Sequence, residues 1–304
     1  MIVTDPEAFL AAWSPERFPA RGPATARGAF LVNPASDVLA SESASDNRYM
    51  DLARDVEPAR ALAEHAELAR RLGADVPLVT FPGDPQAPDG IFPTSAFATV
   101  PGRLIIGRMR HAVRQQETAR RDIRAWFSDL LGYAVVELPP GDFVAELTGA
   151  LVIDRARGVG YCGLSERCDL RGARAMHEAF GLALTWCFDL AAGEYHTNVV
   201  LAVLAGRAAL IAADGFADPA VPDAIATAYA GHAIALDRAQ KQAFAANAIA
   251  LSAHRVWMSA RAGASLTVQQ YSALGAAGFA VGTVELDEIE KAGGSLRCCV
   301  AEIF

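Results

Sequence analysis

Hydrophobic positions along this chain fall into paired short runs rather than into long helical stripes. A β-branched or aliphatic segment is followed by a tight turn with Gly or basic residues, then a second apolar segment, then an Ala/Arg/Leu-rich stretch. The unit occurs at 97–109 around Pro101-Gly102-Arg103, at 151–164 around Arg155 to Gly158, and at 199–213 around Gly206-Arg207, with a weaker copy at 249–260. Apolar runs of this length, bounded by turn residues, read as β-hairpins. Helical periodicity follows in 112–131, 170–180 and 218–230, amphipathic in the first two. A strand at 29–32, joined by a C-terminal strand at 300–304, brings the count to about five modules spaced by roughly 50 residues. Strand–strand–helix–strand modules in that number predict an α/β fold closed as a ring about a pseudo-fivefold axis, one domain over 1–304. A doubly wound sheet fits less well, because no GxGxxG follows any predicted strand and hairpins imply antiparallel pairs. An ordinary α+β domain with hairpins is the plainer alternative.

Composition agrees with a chain that buries a large core: 52% of its 304 residues are hydrophobic and 20% charged. The net charge of −8, with scattered Lys and Arg, offers no basic face for phosphates, so nucleic acid is not an expected partner. A small cationic or zwitterionic ligand suits it better. The N-terminal MIVTDPEAFLAAW lacks the basic flank of a secretory leader, and the longest apolar stretch, 199–213, contains Arg207 and falls short of a span. The expectation is a cytoplasmic protein without membrane contact. The segment 33–46 (NPASDVLASESASD) is polar and long for a connection, and reads as a surface loop over a site or as an ordinary loop.

Five cysteines without CxxC spacing indicate neither a disulfide framework nor a zinc ribbon, and six histidines form no HxH or HExxH pattern. No metal is expected. Cys298 lies in GGSLRCCVAEIF, where Gly293 and Gly294 free the backbone and Arg297 is a neighbouring charge that would lower a thiol pKa. His196 (GEYHTNVVLAVLA) and Glu146 (DFVAELTGALVID) each stand where a polar turn enters an apolar strand. Taken singly, each reads as an ordinary core or strand-end residue. Taken together they stand at strand edges of different copies of one repeat, and strand ends in a ring converge.

PDGIFPTS (88–95), AELTG (145–149), GLSERCDLRGA (163–173), YHTNV (195–199) and GGSLRC (293–298) resemble, in that order, the guanidine-modifying (pentein) superfamily. Within it the similarity is to dimethylarginine dimethylaminohydrolases and related arginine deiminases. It runs from about residue 28 to the C-terminus and implies a pentein α/β propeller. It also implies that Cys298 is a nucleophile, His196 a general acid/base, and Glu146 the carboxylate that binds the guanidinium and orients the site. Asp89 matches a substrate-contacting aspartate, and Arg114 and Arg167 fall where the family holds the substrate carboxylate. The implied reaction is cofactor-free hydrolysis of a C–N bond in an arginine-like compound, with a homodimer admitted as oligomeric state.

Two positions depart from the family. Ser95 stands where a second acid is offered to the guanidine, and Asn198 stands where arginine deiminases carry Asp. Both remove negative charge from the reacting group, which opens the reading of a neutral ureido substrate such as citrulline. A citrulline hydrolase, an amidinotransferase of the same superfamily and a non-catalytic pentein binding module are the alternatives. An unreactive Cys298 thiol would favour the last.

Overall fold

The computed structural model describes residues 1–35 and 39–304. Its strands are, in chain order, β1 (Ile2–Val3), β2 (Gly28–Val32), β3 (Leu78–Phe81), β4 (Phe97–Val100), β5 (Arg103–Ile106), β6 (Ala134–Glu137), β7 (Leu151–Asp154) and β8 (Val159–Leu164). They continue as β9 (Leu184–Asp189), β10 (Leu201–Leu204), β11 (Ala208–Ala212), β12 (Ala233–Leu236), β13 (Arg255–Ser259), β14 (Ala280–Val284) and β15 (Ala301–Ile303). They form five small sheets: β15-β2-β3, β4-β5-β6, β1-β9-β8-β7, β10-β11-β12 and β13-β14.

One topology is repeated. In each three-strand unit an antiparallel pair is followed by a strand parallel to its second member, as in β4–β5 antiparallel and β5–β6 parallel. Parallel addition requires a crossover, and a helical connection supplies it: Leu170–Phe180 between β8 and β9, Ala220–Ala228 between β11 and β12, Pro58–Leu72 between β2 and β3. The weak fifth copy has lost most of its first strand. Among the described residues, the Ile249–Trp257 bridge is what keeps an antiparallel partner for β13. The first unit is assembled from distant parts of the chain, since β15 pairs with β2 through Ala301 and Phe30.

The hairpin turns explain themselves locally. Pro101-Gly102 joins β4 to β5 with Gly102 at φ +73°, and Ala205-Gly206 joins β10 to β11 with φ of +47° and +64°. The second connection has three residues, Ala205 to Arg207, and begins with two left-handed residues closed by the Arg207 N–H donating to Leu204 O (3.0 Å). The helix expected over 112–131 is divided into Ala112–Thr118 and Arg121–Ala125, followed by a wide turn at Trp126–Leu130. Between the first two, Arg120 leaves helical geometry (ψ 104°) and its guanidinium reaches Pro82 O at 2.8 Å. Strands β2, β4 and β11 are buried throughout, so they read as continuous apolar runs rather than as alternation.

Among the described residues no helix is long and apolar enough to cross a membrane, and no group of three or more His, Cys, Asp or Glu could hold a metal ion.

Candidate active site

The segments that enter the first strand of each unit carry the site. A single helical turn precedes β4 (Pro93–Ser95), β7 (Leu147–Ala150), β10 (Thr197–Val200) and β15 (Leu296–Cys299). Three residues before each strand stand Thr94, Thr148, Asn198 and Cys298, and the corresponding residue of the fifth unit is Asn247, two before Ile249. These five are joined in a closed hydrogen-bond circuit. Thr94 Oγ1 donates to Cys298 O (3.2 Å), Thr148 Oγ1 to Thr94 O (3.1 Å), Asn198 Nδ2 to Thr148 O (3.2 Å) and Asn247 Nδ2 to Asn198 O (3.0 Å). The Cys298 N–H completes it by donating to Asn247 Oδ1 (3.3 Å).

Glu146 and His196 occupy matching positions five residues ahead of β7 and β10. His196 Nε2 and Glu146 Oε2 are 2.8 Å apart, and neither side chain is more than 3% exposed. Burial alone would raise the Glu146 carboxyl, but Arg167, His196 and Arg114 outweigh it and hold it well below the usual range. An ionised Glu146 only accepts, so Nε2 carries the proton and Nδ1 holds the lone pair of the neutral ring. Burial keeps the imidazole below its ordinary pKa, with Glu146 opposing. The ring fits only because residue 149 is glycine: a Cβ there would stand 2.6 to 2.9 Å from Cε1, Nδ1 and Nε2.

The structure brings six of the eight expected residues to one small pocket. Asp89, Ser95, Arg114, Arg167, His196 and Cys298 line it, with Ser43, Asn47 and Tyr195 at its sides. Of the remaining two, Glu146 lies behind His196, and Asn198 presents Oδ1 at 3.7 Å from Cys298 Sγ. Asp89 is buried, 3.9 Å from Arg114, and burial raises its pKa while Arg114 opposes. Ser43 belongs to the segment 33–46, read as a loop over a site or as an ordinary loop, and Asn47 directly follows it. Residues 36–38 of that segment lie outside the described residues.

Three features differ from the expectation. Cys298 is buried at 4% exposure, and burial pushes its thiol pKa up, with Asn247 and Arg297 among the opposing influences. Arg297 itself turns away, to Val300 O (2.8 Å) and Glu302 (2.9 Å). Both arginines assigned to the substrate carboxylate already hold protein carboxylates. Arg114 makes a two-pronged contact with Glu117 (2.8 Å each), and Arg167 grips Asp46 (2.5 Å) and Glu146 (3.1 Å). Glu146 is likewise engaged on His196 and Arg167, whereas Asp89, which lines the pocket, stands 3.9 Å from Arg114.

Asn247, Gly149 and Asp46 were not singled out from the sequence. A signal for the first existed: ANAI at 246–249 repeats the pattern of TNVV at 197–200, Asn before an apolar run. Asp46 had none, because its partners Arg167 (2.5 Å) and His111 (3.0 Å) come from distant units.

The chain matches the family described as N,N dimethylarginine dimethylhydrolase, eukaryotic, over residues 33–304. No curated protein matches it at the sequence level. Among solved structures, the N-terminal domain of ArgZ, an arginine dihydrolase from the ornithine-ammonia cycle in cyanobacteria, was determined as a mutant bound to substrate. It is similar at a TM-score of 0.79 and 20% identity, over 91% of this chain and 97% of that one. Unliganded AgrE is similar at 0.77 and 21%, over 91% of this chain and 39% of that one. A dimethylarginine dimethylaminohydrolase bearing a 4-chloro-2-hydroxymethylpyridine adduct gives 0.70 and 21%, over 91% and 99%. Likeness at these identities speaks to the fold, whereas the family match spans every residue of the pocket. The chain therefore belongs to the N,N dimethylarginine dimethylhydrolase family of hydrolases.

Proposed function

We propose that the protein hydrolyses a C–N bond of a guanidino compound related to arginine, with Cys298 as covalent nucleophile, His196 as general acid/base and Glu146 as the group that orients and charges His196. The observation that carries this reading is the common pocket of Cys298, His196 and Asp89, with Glu146 2.8 Å behind the imidazole. A buried thiol with a raised pKa is a weak nucleophile at rest. A guanidinium cation held by Asp89 beside the sulfur favours the thiolate, so substrate binding and activation coincide. The thiol gives its proton to neutral His196, and Sγ adds to the guanidinium carbon. The C–N bond to the leaving amine breaks as protonated His196 supplies its proton, leaving a Cys298 thiouronium. Neutral His196 next takes a proton from water, whose oxygen adds to the same carbon. The S–C bond breaks, releasing a urea-type product and the thiol.

The circuit of Thr94, Thr148, Asn198, Asn247 and Cys298 supports reading the five sheets as one propeller-like catalytic domain about a pseudo-fivefold axis. A ureido substrate is the second reading. It is favoured by the uncharged side chains of Asn198 and Asn247 around the sulfur, at 3.7 and 3.2 Å.

The experiment is mass spectrometry of the protein incubated with arginine, methylated arginines, citrulline and agmatine, following products and any adduct on Cys298. Consumption of a guanidino compound that Cys298→Ser abolishes is the expected result. Consumption of citrulline alone selects the ureido reading. Full turnover by Cys298→Ser overturns the mechanism.

A further inference from the structure

At Thr94 and Thr148 the circuit side chain bonds only a backbone carbonyl, and at Asn198 Nδ2 does the same while Oδ1 lies 3.4 Å from Asn247 Nδ2. Asn247 does something further. Its Nδ2 lies 3.2 Å from Cys298 Sγ while its Oδ1 accepts the Cys298 N–H at 3.3 Å. The amide cannot be turned the other way. Oδ1 must face an N–H donor and Nδ2 must face the Asn198 carbonyl at 3.0 Å, so a donor is presented to the sulfur. Asn198, by contrast, spends its Nδ2 on Thr148 O and shows the sulfur an oxygen.

The backbone that delivers Asn247 is unusual. Phe244, three residues earlier, has φ +62°, a left-handed conformation that bulky residues rarely adopt. Asn247 N donates to Phe244 O (2.8 Å), and Phe244 N to Lys241 O (2.9 Å). Lys241, itself 1% exposed, is fixed by Glu194 (2.7 Å) and Asp214 (2.8 Å). A strained turn anchored at both ends holds Asn247 fully buried against the thiol.

We infer that Asn247 is a catalytic residue of the proposed reaction, donating a hydrogen bond from Nδ2 to Cys298 Sγ that stabilises the attacking thiolate and, after the S–C bond breaks, the departing one. The inference rests on the reading of Cys298 as nucleophile. A donor to an ionised acceptor counts for roughly twice a neutral pair, so its contribution appears when the sulfur is charged. The burial that raises the Cys298 pKa makes such a donor more consequential.

The test is the rate of Cys298 alkylation by iodoacetamide against pH, read on the Cys298 peptide by mass spectrometry, in wild type, Asn247→Ala and Asn247→Thr. Threonine is what two other circuit positions use to bond the preceding carbonyl, so Asn247→Thr keeps a hydroxyl for the Asn198 carbonyl without an amide donor at the sulfur. Both variants are expected to shift the alkylation profile to higher pH, with about tenfold or more less thiolate at a given pH, and to lower kcat in parallel. A purely structural Asn247 predicts instead that Asn247→Thr behaves as wild type. That outcome overturns the inference while leaving the nucleophile in place. Should Asn247→Ala not fold, Asn247→Thr alone decides between the two. A wild-type Cys298 that alkylates at no pH, in a protein without turnover, would sink the nucleophile reading and the inference with it.

Discussion

Replacing Gly149 by alanine tests whether the imidazole position, and not just its presence, drives the reaction. An alanine Cβ would meet His196 Cε1 at 2.6 Å, Nδ1 at 2.7 Å and Nε2 at 2.9 Å, where ordinary contact begins at 3.4 Å. The backbone carrying Gly149 is fixed, since its N–H and that of Ala150 both bond Glu146 O at 3.1 Å. The ring therefore yields, by about 0.8 Å, a displacement of the size that costs on the order of a hundredfold in rate when it misaligns a catalytic group. The 2.8 Å bond to Glu146 is lengthened or lost in the process. The assay is steady-state turnover of Gly149→Ala on the compound identified in the substrate panel, with thermal unfolding and Cys298 alkylation measured alongside. We expect kcat to fall about a hundredfold, with alkylation of Cys298 retained. A folded variant whose kcat stays within about twofold of wild type would refute the argument that the site depends on this close approach.

Glu146→Gln preserves shape but removes the charge that raises the His196 pKa, so the alkaline limb of the kcat–pH profile, where protonated His196 is lost, should move to lower pH as kcat drops; an unmoved limb would dissociate Glu146 from His196. His65 is buried at 1% exposure, and neither ring nitrogen has a partner among the described residues. Burial lowers its pKa to about 4, from 6.5. The unfolded chain thus takes the proton first as pH falls, so stability is whole above pH 6.5 and is lost progressively toward pH 4, by about 3 kcal/mol in all. Denaturant unfolding of His65→Leu across that window should show a flatter profile, and an equal slope would contradict it. Lys241→Met leaves the carboxylate of Glu194 buried without its ammonium partner at 2.7 Å, and should destabilise the protein by about 3–5 kcal/mol. Glu194 also accepts from Tyr49 Oη (2.7 Å) and pairs with the half-exposed Arg48, and a loss below about 1 kcal/mol in chemical denaturation would mean that these two suffice to hold it.

Much of the architecture was legible because each unit is local. Hairpins such as Leu201–Leu204 with Ala208–Ala212 are announced by apolar runs on either side of Gly206, and their turns fix register without help from the rest of the chain. The partner of β2 was legible only as a guess from the terminal apolar run at 300–304. The break at Arg120 escaped detection because Pro82, which draws its guanidinium, is 38 residues away. Of the site, Glu146, His196 and Cys298 could be found as polar residues entering apolar strands. The engagement of Arg114 with Glu117 was within reach, being three residues apart on one helix face. The burial of the Cys298 thiol was not. Arg297 beside it in sequence suggested an electropositive neighbourhood, and only the fold turns that guanidinium toward Glu302.

The pairing of β15 with β2 bears on when the reactive centre comes into being. Elsewhere a hairpin joins neighbours in sequence, such as Leu204 with Ala208, and is closed at little entropic cost. The strand behind Cys298 finds its partner only when Ala301 reaches Phe30, across nearly the whole chain. Contacts of that span form late and slowly. Cys298 meets Asn247 and Thr94 through its backbone in the same event, so a partly folded chain carries five unremarkable cysteines and the proposed nucleophile is not yet assembled. Completion of folding is thereby the step that arms the enzyme.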